Sequence, residues 1–443
     1  MYSGYRELGG CWHGSKADQP AQYNMTTQVT KTDSSNKQKY CRDSRLGCPH
    51  GHASGPVASV ARLNLFCLSF VPSSTFCKDV KGCKGETNFF VSPLSIYSAL
   101  SLALAGSEGD TRQELVSVLR LAAGRDIDTI VKCVGEDLQA VTSGDAKKTL
   151  VEANGVFIQS GSHIKETYRG AISKHLRAAF KQVSGDPEGS RASINEWISE
   201  NTKAKIRDLL SQGSITPLTY VVLANAVYFK GTWKWKFEKS ETDRNGVFHT
   251  LNKGDVRVSM MNRKGSYAMA DFVDLEVQAL KVPFETHEMV IVLPEKRDGL
   301  ANVLKQLCAD AKHMEEILTS DQYFDTEVIL RLPRFSLGGR NMKLKAQLSR
   351  MGLKSTFDID RADFSGITAD RSLAVSDVYH QAMIDVDEEG AEAAAATGIV
   401  MMLTSCMISR TPEFIVDHPF LFFIVTNTGI PVFMGHVFDP ESK

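Results

Sequence analysis

An α+β fold follows from three features of this 443-residue chain. Strand-like and helix-like stretches are intermixed without strict β–α alternation, which argues against a parallel doubly wound sheet. Residues 221–229 (VVLANAVYF) are almost wholly apolar and rich in Val, so they read as a long strand buried on both faces. Two more apolar runs, 417–425 (DHPFLFFIV) and 431–440 (PVFMGHVFDP), supply a pair of buried strands at the C-terminus. An apolar fraction of 42% and a charged fraction of 23% are ordinary for a soluble globular chain. The formal net charge is −1, so no global field argues for nucleic acid or a membrane surface as partner. No apolar run reaches the length of a membrane-spanning helix.

Residues 1–56 are rich in Gly, Ser, Thr, Asn, Gln and Lys and read as a disordered extension. Cys41, Cys48, His50 and His52 do not follow a standard zinc spacing, so no metal is expected. Asn24 opens a glycosylation sequon that matters only in a secreted chain. The start lacks a basic stretch followed by an apolar core, so a secretory signal is not evident. Residues 57–71 are apolar but interrupted by Arg62, and fit either an internal signal core or a first helix. Beyond residue 83 only Cys133, Cys308 and Cys406 remain, and the globular part is expected to fold without disulfides.

The segment 88–96 (NFFVSPLSI) reads as a short strand followed by a helix, with Ser92 as N-cap and Pro93 at the first helical position. Apolar residues at 96, 99, 100, 103 and 104 continue a helical stripe. Thr111 and Glu114 have capping-box spacing. Residues 126–141 form an amphipathic helix, 153–159 a strand, and a further helix is expected to run through 194–198 as far as Leu210. Asn225 sits in the middle of the buried strand and must find hydrogen-bond partners there. Strands at 280–284, 289–294 and 330–335 follow. No internal repeat is present, and no G-x-S-x-G elbow, P-loop, H-E-x-x-H or dinucleotide fingerprint occurs, so an enzyme reading has no constellation to stand on.

The most unusual stretch is 383–412. It begins as an alternating strand, turns acidic at Asp387, Glu388 and Glu389, and becomes a run of very small residues: Gly390, Ala391, Glu392, Ala393, Ala394, Ala395, Ala396, Thr397 and Gly398. One reading is a short Ala-rich helix closed by Gly398. The other is a segment exposed in one state and buried as a strand in another. Small side chains enter a packed sheet without overpacking, and the absence of proline from 390 to 411 leaves every backbone donor available.

The run 388–398 (EEGAEAAAATG) resembles the hinge of an inhibitory serpin, at the base of its reactive loop, with Ala391 where the family usually carries Thr or Ser. Segments 88–96, 221–233 (VVLANAVYFKGTW), 417–425 and 431–440 are similar to serpin segments and stand in family order; the resemblance covers roughly 88–443. It implies a single domain spanning about 57–443, with a large mixed central sheet, further sheets, about nine helices and an exposed reactive loop at 388–412. Ser92, Ser95, Asn225, Trp233 and His380 match residues of the region where the central sheet parts. The implied activity is irreversible, suicide-substrate inhibition: a serine protease is trapped as its covalent acyl complex when the cleaved loop inserts into the sheet. The alternative is a non-inhibitory serpin acting as carrier, chaperone or storage protein. In an inserted strand Ala391, Ala393, Ala395 and Thr397 share the inward face and Glu392 the outward one, which favours inhibition.

Counting fourteen residues on from Gly390, the family's usual spacing, gives a scissile bond between Thr404 and Ser405, with the bond between Leu403 and Thr404 as competitor. Thr or Leu suits an elastase- or chymotrypsin-like pocket; Met407 or Arg410 are further options, and Arg410 implies a trypsin-like target. Cys406 shares this loop, as a spectator or as a site of oxidation. Region 124–148 mixes Arg125, Lys132, Lys147 and Lys148 with five acidic residues, so no strong heparin site is expected. No cofactor is implied. A monomer, extracellular by resemblance with the cytoplasm as alternative, completes the expectation.

Overall fold

The computed structural model describes residues 87–142, 149–161, 163–184, 186–338, 341–369, 373–390 and 411–441, together with Leu63, Phe66 and Cys67. The chain divides into two units, Met1–His52 and Ala53–Lys443, and all described residues belong to the second. The expectations for Asn24, Cys41, Cys48, His50 and His52 therefore lie outside the described residues.

In chain order the elements are β1 (Phe89–Val91), α1 (Pro93–Ala105), α2 (Gly109–Val118), α3 (Ile127–Thr142), β2 (Leu150–Gln159), α4 (Glu166–Leu176), β3 (Ala179–Val183), α5 (Pro187–Asn201), β4 (Val221–Phe229), β5 (Asp243–Thr250), β6 (Gly254–Phe272), β7 (Val277–Pro283), β8 (His287–Pro294), α6 (Leu300–Ala309), α7 (Ala311–Thr319), β9 (Phe324–Pro333), β10 (Phe335–Gly338), β11 (Met342–Lys343), α8 (Lys345–Met351), β12 (Val375–Val386), β13 (Glu413–Ile415), β14 (Phe420–Thr426) and β15 (Pro431–Val437). This is the expected α+β class, with eight α-helices among the described residues.

Two sheets organise the molecule. The six-stranded one has the order β10-β12-β4-β2-β3, with β11 also on β12; the nine-stranded one has the order β1-β15-β14-β8-β7-β6-β9-β13, with β5 also on β6. The six-stranded sheet is covered on both faces. Leu223, Val227 and Phe229 belong to the main core with α1 and the C-terminal strands. Val222, Ala224 and Ala226 face a second cluster built from Ile194, Trp197 and Ile198 of α5 and Ile206, Leu209 and Leu210 after it. Every residue of β4 is consequently buried, which is why its sequence is a continuous apolar run and not an alternating one.

Helix α1 starts as expected: the Ser92 side chain accepts from the Ser95 N–H, with Pro93 in the first turn. Leu63, Phe66 and Cys67 are helical and buried, with Phe66 edge-on to Tyr97 at 5.1 Å.

Three sequence expectations are corrected. Thr111 and Glu114 do not form a capping box. Thr111 Oγ1 accepts from the Asp363 N–H, and Glu114 Oε2 accepts from the N–H groups of Lys354 and Ser355, so both side chains are committed to a distant turn. Helix α5 ends at Asn201, short of Leu210. Lys203 and Ala204 take left-handed φ values of 52° and 58°, while Thr202 Oγ1 donates to Ile198 O at 2.8 Å and accepts from the Ile206 N–H. Finally, Cys308 in α6 is disulfide-bonded. Cys67 and Cys133 are free, so its partner lies outside the described residues.

Candidate functional site

The seam between β4 and β12 is the central feature. These two strands are direct neighbours and run parallel, with 221–229 paired to 375–384. A chain that left the end of β12 and turned back along the sheet would be antiparallel to both. Its entry would replace one parallel ladder by two antiparallel ones, the slightly more stable kind.

A buried polar cluster holds the middle of the seam. His380 and Asn225 are register partners. His380 Nδ1 donates to Asn225 Oδ1 at 2.6 Å, and Ser95 Oγ donates to the same oxygen at 2.6 Å. The Ser92 N–H donates to His380 Nε2 at 3.2 Å. An Nε2 that accepts leaves the proton on Nδ1, so the backbone of Ser92 sets the neutral tautomer. Burial pushes the His380 pKa down to about 3. Ser92 Oγ also donates to Val432 O at 2.8 Å. One cluster thus joins β4, β12, β15 and the start of α1. Asn225 Nδ2 has no partner, nor does Oδ1 of Asn154, which lies opposite it in β2; Asn154 Nδ2 donates to Ser98 Oγ.

Above the seam, β4 runs on to Trp233, which is buried and stacked on Phe284 with ring centroids 4.0 Å apart. Its indole N–H donates to Asp387 O at 2.8 Å and its backbone N–H to Glu389 O at 3.2 Å. These bonds pin the turn that ends β12. Within it, Asp387 and Gly390 exchange backbone hydrogen bonds of 3.0 and 3.2 Å. Gly390 has φ +113°, and a Cβ there would lie 2.3 Å from Gly231 O, so the position admits only glycine without displacement.

The two glutamates of the turn are also fixed. Glu388 is 4% exposed; Oε1 accepts from Thr242 Oγ1 at 2.8 Å, and Oε2 lies 3.6 Å from Arg334. Glu389 pairs with Lys236 at 2.7 Å and Lys239 at 3.2 Å. Its hydrogen bond from Lys236 holds its carboxyl below the usual range. Desolvation acts the other way on Asp387 and raises it.

Ser92, Ser95, Asn225 and His380 therefore meet in one cluster, and Trp233, Glu388, Glu389 and Gly390 in a second at the top of the same seam. Ala391, Glu392, Ala393, Ala394, Ala395, Ala396, Thr397 and Gly398 lie outside the described residues, as do Leu403, Thr404, Ser405, Cys406, Met407 and Arg410. After that gap, Pro412 O accepts from the Ile329 N–H and β13 pairs parallel with β9. Sequence reasoning did not single out Thr242, Lys236, Lys239, Arg334 or Phe284, because their partners are remote in the chain and no local pattern marks them.

The family model described as Serpin (serine protease inhibitor) matches residues 73–440. The chain belongs to the serpin family. Iris of Ixodes ricinus is 36% identical to this serpin over 355 residues, covering 79% of this chain and 92% of that relative. Leukocyte elastase inhibitor A of Mus musculus is 33% identical over 362 residues, covering 80% and 93%. Among solved structures, Serpin48 of the insect Tenebrio molitor superposes with a TM-score of 0.75 at 28% identity, covering 88% of this serpin and all of that chain. Members of this family are, as its description says, serine protease inhibitors. Among the described residues no cluster of His, Cys, Asp and Glu is arranged to hold a metal, and no helix is long and apolar enough to cross a membrane.

Proposed function

We propose that this serpin is an irreversible, suicide-substrate inhibitor of a serine protease with elastase- or chymotrypsin-like specificity. The carrying observation is the seam: β4 and β12 are paired directly, and the chain leaves β12 through a fixed turn above them into a run of small residues. The serine oxygen of the protease attacks the carbonyl carbon of Thr404. The bond to Ser405 breaks, its nitrogen takes a proton from the base of the protease, and Thr404 is left as an ester on the enzyme. Strand 391–403 then enters between β4 and β12, with Ala391, Ala393, Ala395 and Thr397 on the inward face. Carrying the protease away from its working geometry leaves the ester unhydrolysed. Ser92, Ser95, Asn225 and His380 hold the seam closed until then, and Trp233 guides the entry point.

A carrier or storage role without insertion has no need of small residues at each inward position, so the inhibitory reading is preferred. The protein acts as a monomer in an extracellular setting. The test is incubation with elastase, chymotrypsin and trypsin, followed by denaturing gels and mass spectrometry. A complex that survives denaturation, with a released peptide starting at Ser405 or Thr404, supports the proposal. A peptide starting at Thr411 keeps the mechanism and moves the target to trypsin-like enzymes. Clean cleavage without a complex refutes it.

A further inference from the structure

Away from the seam, a cavity of about 120 Å³ opens between β2, α1, α3 and α4. That is room for a ligand of several non-hydrogen atoms, well beyond a single water. Its walls include the apolar side chains of Leu94, Leu138 and Leu176, and its polar lining includes Glu152 and Asn154 of β2. Glu152 points to the same side of the sheet as Asn154, two residues on, toward the helices. Among the described residues no cation pairs with Glu152, whose carboxyl is shifted by desolvation and not by a charged partner. The Asn154 Oδ1 atom is buried and accepts no hydrogen bond, its amide nitrogen being used on Ser98. The other ionisable groups lining the cavity, His175 and the exposed Arg177 at the end of α4, make no ion pair with Glu152.

We propose that this cavity binds a small organic cation, an alkylammonium group whose charge meets the Glu152 carboxylate and whose short chain lies against Leu94, Leu138 and Leu176. A carboxylate and a spare amide oxygen offer acceptors only, which selects a ligand rich in N–H donors. The apolar walls select an organic cation over a hydrated metal ion. Glu152 is exposed at the mouth of the cavity, and the protein around it raises its carboxyl pKa by desolvation that water there partly screens. A raised carboxyl loses its charge at a higher pH than a free one, so cation binding strengthens as pH rises from 5.5 to 8.0. Asn154 faces Asn225 across the β2–β4 ladder, which places the site beside the polar cluster of the seam.

The test is calorimetric titration of the intact, uncleaved protein with n-butylammonium chloride at pH 8.0 and pH 5.5, with n-butanol and sodium chloride as controls. The expected result is saturable binding of one butylammonium per chain at pH 8.0, at least about tenfold weaker at pH 5.5, and no binding of either control. Glu152→Gln removes the charge with little change of shape and is expected to weaken binding at least about tenfold. Leu138→Phe fills the cavity, leaves the carboxylate in place, and is expected to do the same. Absence of saturable binding in the folded wild type overturns the proposal, as does equal affinity in the wild type and both variants. The titration involves no protease, so failure to inhibit any enzyme leaves this inference standing.

Discussion

Gly390→Ala tests the turn from which the inserted strand would continue along β4. In the intact protein Gly390 has φ +113°, and a Cβ would lie 2.3 Å from Gly231 O, 2.7 Å from Trp233 N and 2.8 Å from Thr232 Cα. Those neighbours are backbone atoms with no rotamer to yield. Holding a non-glycine residue in such a backbone region costs roughly 1–3 kcal/mol. Relieving the contact means shifting the strip 231–233, which weakens the Trp233 N–H bond to Glu389 O and the bonds within the turn. One or two weakened bonds add about 1–2 kcal/mol. The intact protein is therefore expected to lose about 2–5 kcal/mol. Gly390 is bridged antiparallel to Thr232, the register from which an inserted strand 391–403 continues along β4, so the loop-cleaved variant is expected to lose a similar amount. Denaturant melts of intact and cleaved forms of both proteins measure the four midpoints. No loss in the intact form refutes the reading of this turn, and a loss confined to the intact form refutes the register of the inserted strand.

Three further outcomes are expected. Ala393→Arg or Ala395→Arg places a charge on the inward face of the inserting strand, so the variant is cleaved by the target at an undiminished rate but forms at least about tenfold less covalent complex on denaturing gels. Thr404→Arg moves the target to trypsin-like proteases, read as a gain of complex with trypsin and a loss with elastase and chymotrypsin. The third concerns pH. Burial lowers His380 to about 3 and His287 to about 4, so between pH 6.5 and 4.5 the unfolded chain binds protons at both that the folded chain does not, and stability falls with falling pH. Glu152, raised to about 7, works in the opposite direction across the same window. The two histidines together correspond to at most about two protons, roughly 2.7 kcal/mol per pH unit; Glu152 is exposed, so solvent screening keeps its opposing contribution smaller, and Glu152→Gln should steepen the slope only modestly in a pH series of unfolding curves.

Much of this architecture was legible in the sequence because it rests on local pattern. The unbroken apolar run at 221–229 marked a strand covered on both faces, and Ser92 followed by Pro93 marked the start of α1. Asn225 in mid-strand signalled a buried polar cluster, and Glu388, Glu389 and Gly390 fell in the turn that closes β12. What escaped depends on partners far away in the chain. Thr111 and Glu114 have the spacing of a capping box, but the turn around Ser355 offers three donors to Glu114, and that tertiary contact prevails. The end of α5 at Asn201 has no Gly or Pro to announce it; the left-handed Lys203 and Ala204 are stabilised by packing of 206–215 on the sheet. The bridge made by Cys308 and the clamps of Thr242, Arg334, Lys236 and Lys239 on the turn are likewise invisible to any window of neighbouring residues.

Hydrogen exchange of β4 and β12, before and after cleavage of the loop, is the most direct test of the central claim. Entry of a new strand at this seam replaces one parallel ladder by two antiparallel ones and brings 391–403 into the sheet. A fall in amide exchange rates across 221–229 and 375–384 is expected after cleavage, with slow exchange over 391–403 in the cleaved form. Cleavage that leaves the protection of both seam strands unchanged would contradict it.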